Sequence, residues 1–142
     1  MYQVLIVDDE PIVKIALRSM IDWESLGFHI CATASNGEEA LEMADRFHPD
    51  LMICDLKMPV MDGIDLIKAA KDKKMDCEFL VISNYEDFNY VRTALVLGAS
   101  DYILKVSISP EELTSQLQKV KTKLEDKQAK KEPEDSVETS LL

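Results

Sequence analysis

Five short apolar runs rich in β-branched residues recur along the chain at similar intervals. They occupy residues 4–7, 30–34, 51–54, 79–82 and 102–104, and their starts lie 26, 21, 28 and 23 residues apart. Each interval has room for one helix and two loops, which is typical of repeated strand–helix units that build a parallel sheet covered on both faces. At 142 residues, the chain is long enough for one such domain. The pattern predicts a doubly wound α/β fold.

The intervals between these runs carry apolar residues at helical spacing, so five strands and five helices are expected. Gly98 is placed to end the fourth helix in a left-handed conformation, and Ser109 is placed to cap the start of the fifth. The apolar stripe of the fifth helix ends at Leu124. We therefore predict a domain over residues 1–126 and a linker or tail over residues 127–142, either disordered or an extension of the last helix.

The net charge of −11 excludes one class of function for this chain by itself. A strongly acidic surface repels a phosphate backbone, so we expect no direct DNA binding. No apolar run approaches the roughly 18 residues that a membrane span needs, and no basic residue precedes Lys14, as a secretory signal peptide would require. We expect a cytoplasmic protein without a membrane segment, with its three separated cysteines as reduced thiols.

The residues that follow the predicted strands are charged or hydroxylic. They are Asp8, Asp9 and Glu10 after the first strand, Asp55 after the third, Ser83 after the fourth and Lys105 after the fifth. In an open parallel sheet the carboxyl ends of the strands border the binding crevice, so these side chains are expected to meet there.

A cluster of carboxylates at this edge predicts a metal site. Each pair of carboxylates 4 Å apart repels by about 4 kcal/mol at an effective dielectric constant near 20, so the cluster needs a cation. Oxygen ligands without nearby His or Cys favour Mg²⁺, with Mn²⁺ as a second candidate. Ser83 and Lys105 would add a hydroxyl and a positive charge around an anion on Asp55. A phosphoryl group suits such a site.

Other uses of this type of sheet fit the sequence less well. A dinucleotide or flavin site needs glycines after the first strand, where this chain has Asp-Asp-Glu-Pro at residues 8–11. A phosphatase of the haloacid dehalogenase type would carry a second Asp two residues after its nucleophile, and Lys57 stands there instead. A metal-dependent phosphatase remains a minor alternative.

Several separated motifs together resemble the receiver domain of bacterial two-component response regulators. They are V-D-D-E at residues 7–10, D-L-x-M-P-x-M-D-G at 55–63, Ser83, and G-A-x-D-Y-I-L-K at 98–105. The resemblance covers about residues 1–126. It implies a flavodoxin-like five-stranded sheet of order 2-1-3-4-5 with five helices.

The resemblance also implies roles for particular residues. Asp55 would accept a phosphoryl group from a sensor histidine kinase, with Mg²⁺ held by Asp8, Asp9, Asp55 and the backbone carbonyl of Lys57. Ser83 and Lys105 would bind the phosphoryl oxygens, and Ser83 and Tyr102 would act as the switch. The output surface, and a site for homodimerisation, would be the face of the fourth helix, fifth strand and fifth helix. Such a domain phosphorylates and dephosphorylates itself without being a turnover enzyme.

Residues 82–90 further resemble receivers joined to AraC-type helix-turn-helix domains. The chain would then be a fragment of a transcription regulator that binds DNA only through a C-terminal domain absent from this sequence. A natural single-domain receiver is the alternative.

Three positions depart from the family pattern. Val106 replaces the usual Pro after the conserved Lys, and a non-proline cis bond costs roughly 2.5 to 4 kcal/mol, so this peptide bond is expected to be trans. Asn84 is larger than the usual residue after Ser83, and Lys57 adds a long basic side chain at the mouth of the pocket. A receiver that binds partners without phosphorylation is therefore a further alternative.

Overall fold

The computed structural model describes residues 1–141, including the side chains of all these residues except Tyr85 and 131–141. Five strands alternate with five helices along the chain. The strands are β1 (Tyr2–Val7), β2 (Phe28–Ala34), β3 (Leu51–Asp55), β4 (Glu78–Ser83) and β5 (Asp101–Leu104). The helices are α1 (Pro11–Met20), α2 (Gly37–Phe47), α3 (Gly63–Asp72), α4 (Phe88–Val96) and α5 (Pro110–Leu141).

All strand pairs are parallel, and the sheet order is β2-β1-β3-β4-β5. The predicted flavodoxin-like fold class is confirmed. Strands β1 and β2 begin two residues before the apolar runs do, because Tyr2 pairs with Phe28 and Gln3 with His29 in the ladder. Backbone pairing thus continues past the polar side chains of Gln3 and His29, which interrupt the apolar pattern.

Alternate residues of each central strand face two separate apolar layers. Val4 and Ile6 pack with α1 and α5, whereas Leu5 and Val7 pack with α2, α3 and α4. Every residue of β3 is buried, as expected for the central strand of a sheet covered on both faces. The sheet is thereby held rigidly between two layers of helices, with its carboxyl edge free to carry polar groups.

The helix ends agree with the local signals in the sequence. Gly98 has a left-handed φ of +107° after α4, and the Ser109 hydroxyl accepts a hydrogen bond from the Glu112 amide at 3.1 Å. Helix α5 continues past residue 126 to Leu141, and Leu142 lies outside the described residues. The division of the chain at residue 126 stays a prediction.

None of the helices in the described part of the chain is both long enough and apolar enough to cross a membrane.

Candidate functional site

The predicted polar residues meet at the carboxyl edge of the sheet. Strands β1, β3, β4 and β5 lie in this order, so the residues at their carboxyl ends become neighbours. Asp55 ends β3, and Ser83, which ends β4, lies one position beyond the β4 partner of Asp55. The fold therefore brings the acidic β1 end, Asp55, Ser83 and the β5 end to one side of the sheet, as the sequence predicted.

Four carboxylates form the centre of this site, which we call the acidic pocket. Asp8, Asp9, Glu10 and Asp55 each offer an oxygen, and these oxygens all lie within 4.8 Å of one another. Asp8 and Asp55 are buried, at 1% and 3% exposure, whereas Asp9 and Glu10 are exposed. One wall of the pocket is thus closed to solvent and the other is open to an incoming group.

The loop after β3 approaches Asp55 closely. The amide of Gly63 donates to the Leu56 carbonyl at 2.9 Å, which brings the start of α3 against the end of β3. A β-carbon at position 63 would collide with the backbone carbonyl oxygen of Asp55. Only glycine allows this approach, which explains the final residue of the M-D-G segment.

Lys105 is the cation that the chain itself supplies to the pocket. Its Nζ lies 3.0 Å from Asp55 Oδ2, 3.3 Å from Asp8 Oδ2 and 2.9 Å from Glu10 Oε1. All peptide bonds among the described residues are trans, including the one before Val106, so this expectation is confirmed. The trans bond does not prevent Lys105 from reaching Asp55.

One lysine does not offset the negative charge of four carboxylates, and the raised pKa values of the buried acids reflect this. Burial raises the pKa of Asp55, and the negative charge of Asp8 adds to this effect. The hydrogen bond from Lys105 lowers the pKa, but the balance is a value of about 6. Burial likewise raises the pKa of Asp8. Burial lowers the pKa of Lys105, but hydrogen bonds to Glu10 and Asp55 outweigh burial and raise it.

The donor set fits a hard divalent cation. Among the described residues, Asp8 Oδ2 is buried without a hydrogen-bond partner, and its nearest cation is Lys105. The other Asp8 oxygen accepts from the Glu10 amide at 2.8 Å, which fixes the carboxylate in place. The Asp8 carboxylate is thus held in place beside Asp9 and Asp55 with its negative charge only partly offset. Such a set of oxygens suits Mg²⁺ or Mn²⁺, which prefer oxygen ligands and keep several waters.

Ser83 is the last residue of β4, at the same carboxyl edge of the sheet. Its side chain is fully buried, and its hydroxyl has no hydrogen-bond partner in the described part of the chain. A buried hydroxyl without a partner has lost its bonds to water without replacement, so the site favours a ligand that can accept from it.

The Lys57 side chain does not lie at the mouth of the pocket, where the sequence analysis placed it. Its Nζ lies 2.9 Å from Asp87 Oδ1 and 5.1 Å from the centre of the Tyr90 ring. Asn84 also turns towards the start of α4, where its side chain accepts from the Asp87 amide and the Asp87 carboxylate accepts from the Asn84 amide. Both side chains are held by Asp87, directly before α4, which explains why neither fills the pocket.

Tyr102 lies away from the acidic pocket, on a groove between α4 and β5. The groove has a volume of about 500 Å³ and is lined mainly by apolar side chains, among them Phe88, Val91, Leu95 and Leu104. Tyr102 is 40% exposed there, and Phe88 is 70% exposed. Phe88 therefore does not pack in the core.

Sequence reasoning did not predict the contacts of Glu10 with Lys105 or of Asp87 with Lys57. The sequence did contain a local signal for the position of Asp87, because Asn84 and Asp87 have the spacing of a helix capping box. No local signal existed for the two lysines, because their partners are 95 and 30 residues away in the sequence.

Comparison with known proteins agrees with this geometry. A profile of the family described as response regulator receiver domain matches residues 4–118. The transcriptional regulatory protein YesN of Bacillus subtilis is 36% identical over 120 residues, which are 84% of this chain and 32% of YesN. The chain spans about a third to two fifths of the length of its curated relatives.

Two solved structures are similar over most of the chain. The receiver domain of AraT from Geobacillus stearothermophilus is 42% identical with a TM-score of 0.84, over 89% of this chain and 98% of that one. The two-component transcriptional regulator AraC from Clostridium phytofermentans is 31% identical with a TM-score of 0.82, over 91% of this chain and 99% of that one.

Proposed function

The chain belongs to the response regulator receiver domain family, and we propose that it works as a switch controlled by phosphorylation of Asp55. The observation that carries the proposal is the arrangement around this carboxylate. Asp55 is buried at the end of the central strand, with three further acids on one side and Lys105 Nζ at 3.0 Å. No other carboxylate among the described residues has these neighbours.

In the proposed reaction, an oxygen of Asp55 attacks the phosphorus of a phosphohistidine on a sensor histidine kinase. A P–O bond forms as the P–N bond breaks, and the imidazole leaves with the electron pair and takes up a proton. The Asp55 carboxylate must be ionised to attack. The contact with Lys105 favours the ionised form and orients one of its oxygens. The domain would later lose the phosphoryl group to water without acting as a turnover enzyme.

The pocket acids would hold the metal that this transfer requires. Asp8, Asp9, Asp55 and the backbone carbonyl of Lys57 are the proposed ligands, and Mg²⁺ is the proposed ion. When bound, Mg²⁺ offsets the negative charge that accumulates when a phosphoryl group joins carboxylates. Glu10 contributes differently, because its contact at 2.9 Å keeps the Lys105 ammonium beside the pocket.

Two groups would then respond to the phosphoryl group. Lys105 carries the charge that pairs with one of its oxygens, and the Ser83 hydroxyl, which has no partner in the described part of the chain, donates to another. Movement of Ser83 towards the pocket would free space behind it for Tyr102, which is partly exposed on the α4–β5 groove. The output surface would be the α4–β5–α5 face, through which two copies could also associate.

Exposed apolar side chains close in sequence to the pocket residues support docking of a protein phosphoryl donor. Ile12 and Ile15 follow the acidic loop on α1, Val60 lies in the loop after β3, and Val106 follows Lys105. All four are at least 66% exposed. Exposed aliphatic side chains at the mouth of a reactive site fit a protein surface better than a small, charged substrate.

We further propose that the chain is the receiver part of a longer cytoplasmic transcription regulator. The chain covers only about a third to two fifths of curated relatives that include transcriptional regulatory proteins. Residues 1–126 would be the domain, and residues 127–142 would lead to a DNA-binding domain. The cysteines of the described residues are free thiols, which fits a reducing compartment.

The proposal is tested by the intact mass of the chain after incubation with acetyl phosphate. We expect one added phosphoryl group that requires Mg²⁺ and is absent in Asp55→Asn. The matched control, Asp45→Asn on the exposed side of α2, should be modified like the wild type.

An absence of adduct, together with no stabilisation by beryllium fluoride and Mg²⁺, would contradict the proposal. It would indicate a receiver that binds partners without phosphorylation. Release of many phosphate molecules per chain from a phosphomonoester would instead indicate a phosphatase.

A further inference from the structure

The Lys57 side chain connects the acidic pocket to α4 by a route that involves neither Ser83 nor Tyr102. Lys57 lies in the loop between β3 and α3, two residues after Asp55. Its ammonium crosses to the segment between β4 and α4, where it pairs with Asp87 at 2.9 Å. One residue therefore belongs to the pocket by its backbone and to α4 by its side chain.

Asp87 is an unusual partner for a surface lysine. Its side chain is 1% exposed, whereas that of Lys57 is 53% exposed. The other Asp87 oxygen accepts from the Asn84 amide at 3.2 Å, and the Asn84 side chain accepts from the Asp87 amide. Among the described residues, Lys57 is the one cation in contact with this buried carboxylate. A buried carboxylate strongly favours keeping its cation.

The ammonium has a second contact, which lies on the first turn of α4. It lies 5.1 Å from the centre of the Tyr90 ring, within the range of a cation–π interaction. The contacts with Asp87, directly before α4, and with Tyr90, on its first turn, fix the position of the Lys57 ammonium. A displacement of the β3–α3 loop would therefore pull on Asp87 and Tyr90 together.

The segment that Lys57 holds also shapes the α4–β5 groove. Asn84 and Phe88, on either side of the Asp87 region, both line it. Asn84 and Asp87 form a capping box around a single 3-10 turn (Tyr85–Asp87), which leads directly into α4 at Phe88. Motion transmitted through Lys57 would therefore change the groove at its end nearest the pocket.

We propose that Lys57 is a positioning residue that couples occupation of the metal site to the position of the first turn of α4. The inference rests on the proposed function, because it takes the Lys57 carbonyl as a metal ligand. Binding of the ion would fix the loop backbone at residue 57, and the ion pair with Asp87 would pass that restraint to α4. The groove would then respond to the metal before any phosphoryl group is attached.

Amide NMR of the full chain, titrated with MgCl₂ alone, tests this coupling. Ser83 is proposed to bind only the phosphoryl group, so Mg²⁺ without a phosphoryl donor isolates the Lys57 route. In the wild type we expect shifts of the Asp8 and Asp9 amides and also of the Asp87 and Phe88 amides.

Lys57→Met, which keeps the backbone carbonyl and an unbranched side chain of nearly the same length, should retain the pocket shifts and lose most of the α4 shifts. Lys57→Arg should restore the α4 shifts. Lys68→Met, at an exposed lysine on α3, is the matched control and should behave like the wild type. If Lys57→Met perturbs folding of α4, Asp87→Asn provides a second test with Lys57 intact, and it should lose the same α4 shifts.

The outcomes separate this inference from the proposed function. Pocket shifts without α4 shifts in the wild type, or α4 shifts that persist in Lys57→Met, would overturn the coupling and leave the metal site standing. An absence of pocket shifts in the wild type at millimolar Mg²⁺ would overturn both proposals.

Discussion

The two ends of the sheet differ in how well their buried or partly buried acidic groups are compensated by neighbouring cations and donors. At the carboxyl end, Asp55 and Asp8 share one lysine with Glu10. At the amino end, Glu78 begins β4 and has Lys127 at 2.7 Å, and it also accepts a hydrogen bond from Ser100. Each end therefore has one central lysine. The contacts of Glu78 are sufficient to favour its ionised form, whereas those of Asp55 and Asp8 are not.

The pKa values express this difference. Burial raises the pKa of Glu78, but hydrogen bonds from Lys127 and Ser100 outweigh burial, so its pKa lies below the ordinary value. Burial raises the pKa of Asp55 to about 6 despite Lys105. The acid at the amino end stabilises the fold. The ionised acids at the carboxyl end destabilise it, and a bound cation would remove this destabilisation.

The largest expected effect of breaking this contrast is a gain in stability from Asp55→Asn without Mg²⁺. Because the folded pKa is raised from 3.8 to about 6, the folded state binds a proton more tightly than the unfolded state between these values. The free energy of unfolding therefore falls as the pH rises through this window. The full penalty, up to about 3 kcal/mol, is present above about pH 6.

Urea denaturation at two pH values checks this prediction. Asp55→Asn should be more stable than the wild type at about pH 8 and no more stable below about pH 3, where the wild-type carboxyl is neutral in both states. An equal gain at both pH values would show that the carboxylate charge is not its cause. Asp45→Asn, at an exposed acid, should show little gain at either pH.

The second prediction sharpens the contrast by adding a divalent cation at the carboxyl end. Mg²⁺ at 100 times its dissociation constant should stabilise the wild type by about 2.7 kcal/mol, because it binds only the folded state. Asp9→Ala should abolish the shift in melting temperature without unfolding the chain, since Asp9 is exposed. Asp76→Ala, at the amino end, should retain the Mg²⁺ response. Its loss there would mean that the ion acts elsewhere.

The third prediction concerns the amino end and has the opposite sign. Glu78→Gln should lower the free energy of unfolding by about 1.5 kcal/mol at neutral pH, the typical contribution of a hydrogen bond to a charged group. The Glu78 pKa is lowered on folding, so its contribution is present above the ordinary value of 4.5 and is lost as the pH falls through the folded pKa.

The same denaturation series, extended to low pH, measures this effect. The difference between wild type and Glu78→Gln should shrink on acidification, and Lys127→Met should show a similar loss at neutral pH because it removes the partner. A deficit of Glu78→Gln that grows on acidification would contradict the assignment.

The smallest predicted effect comes from backbone strain at the carboxyl end. Val60 has a left-handed φ of +69°, which a β-branched residue adopts at a cost. At the amino end, the left-handed positions are His48 and Lys74, which are unbranched at the β-carbon. Val60→Asn should stabilise the protein by about 1 kcal/mol, because Asn tolerates this conformation. Thermal denaturation should show a smaller gain for His48→Asn, and a larger one would refute the difference.

Much of the fold followed from local patterns. The apolar runs located all five strands to within two residues, since a strand buried on both faces must be apolar along its length. Ser109 and Gly98 located helix ends through their own hydrogen bonding and backbone freedom. The starts of β1 and β2 escaped the pattern, because Gln3 and His29 pair through the backbone while their side chains are polar.

The candidate site was predictable for a related reason. In a parallel sheet, residues at the carboxyl ends of adjacent strands are neighbours whatever the loops do, so Asp8, Asp55, Ser83 and Lys105 could be grouped from their positions alone. Their roles in binding a metal and a phosphoryl group stay predictions. The exposure of Phe88 was not predictable, because an amphipathic helix pattern does not say how much of its apolar face the sheet covers.

The sequence by itself determined the order of strands and helices, the two apolar faces of the sheet and the collection of charged residues at one edge. These follow from periodicity and strand ends, which are local properties of the chain. Only the tertiary structure decided which charges pair, with Lys105 on Glu10 and Asp55 and with Lys57 on Asp87. These ion pairs join side chains that are far apart in the sequence. Their choice therefore depends on loop paths and burial, which no spacing along the chain encodes.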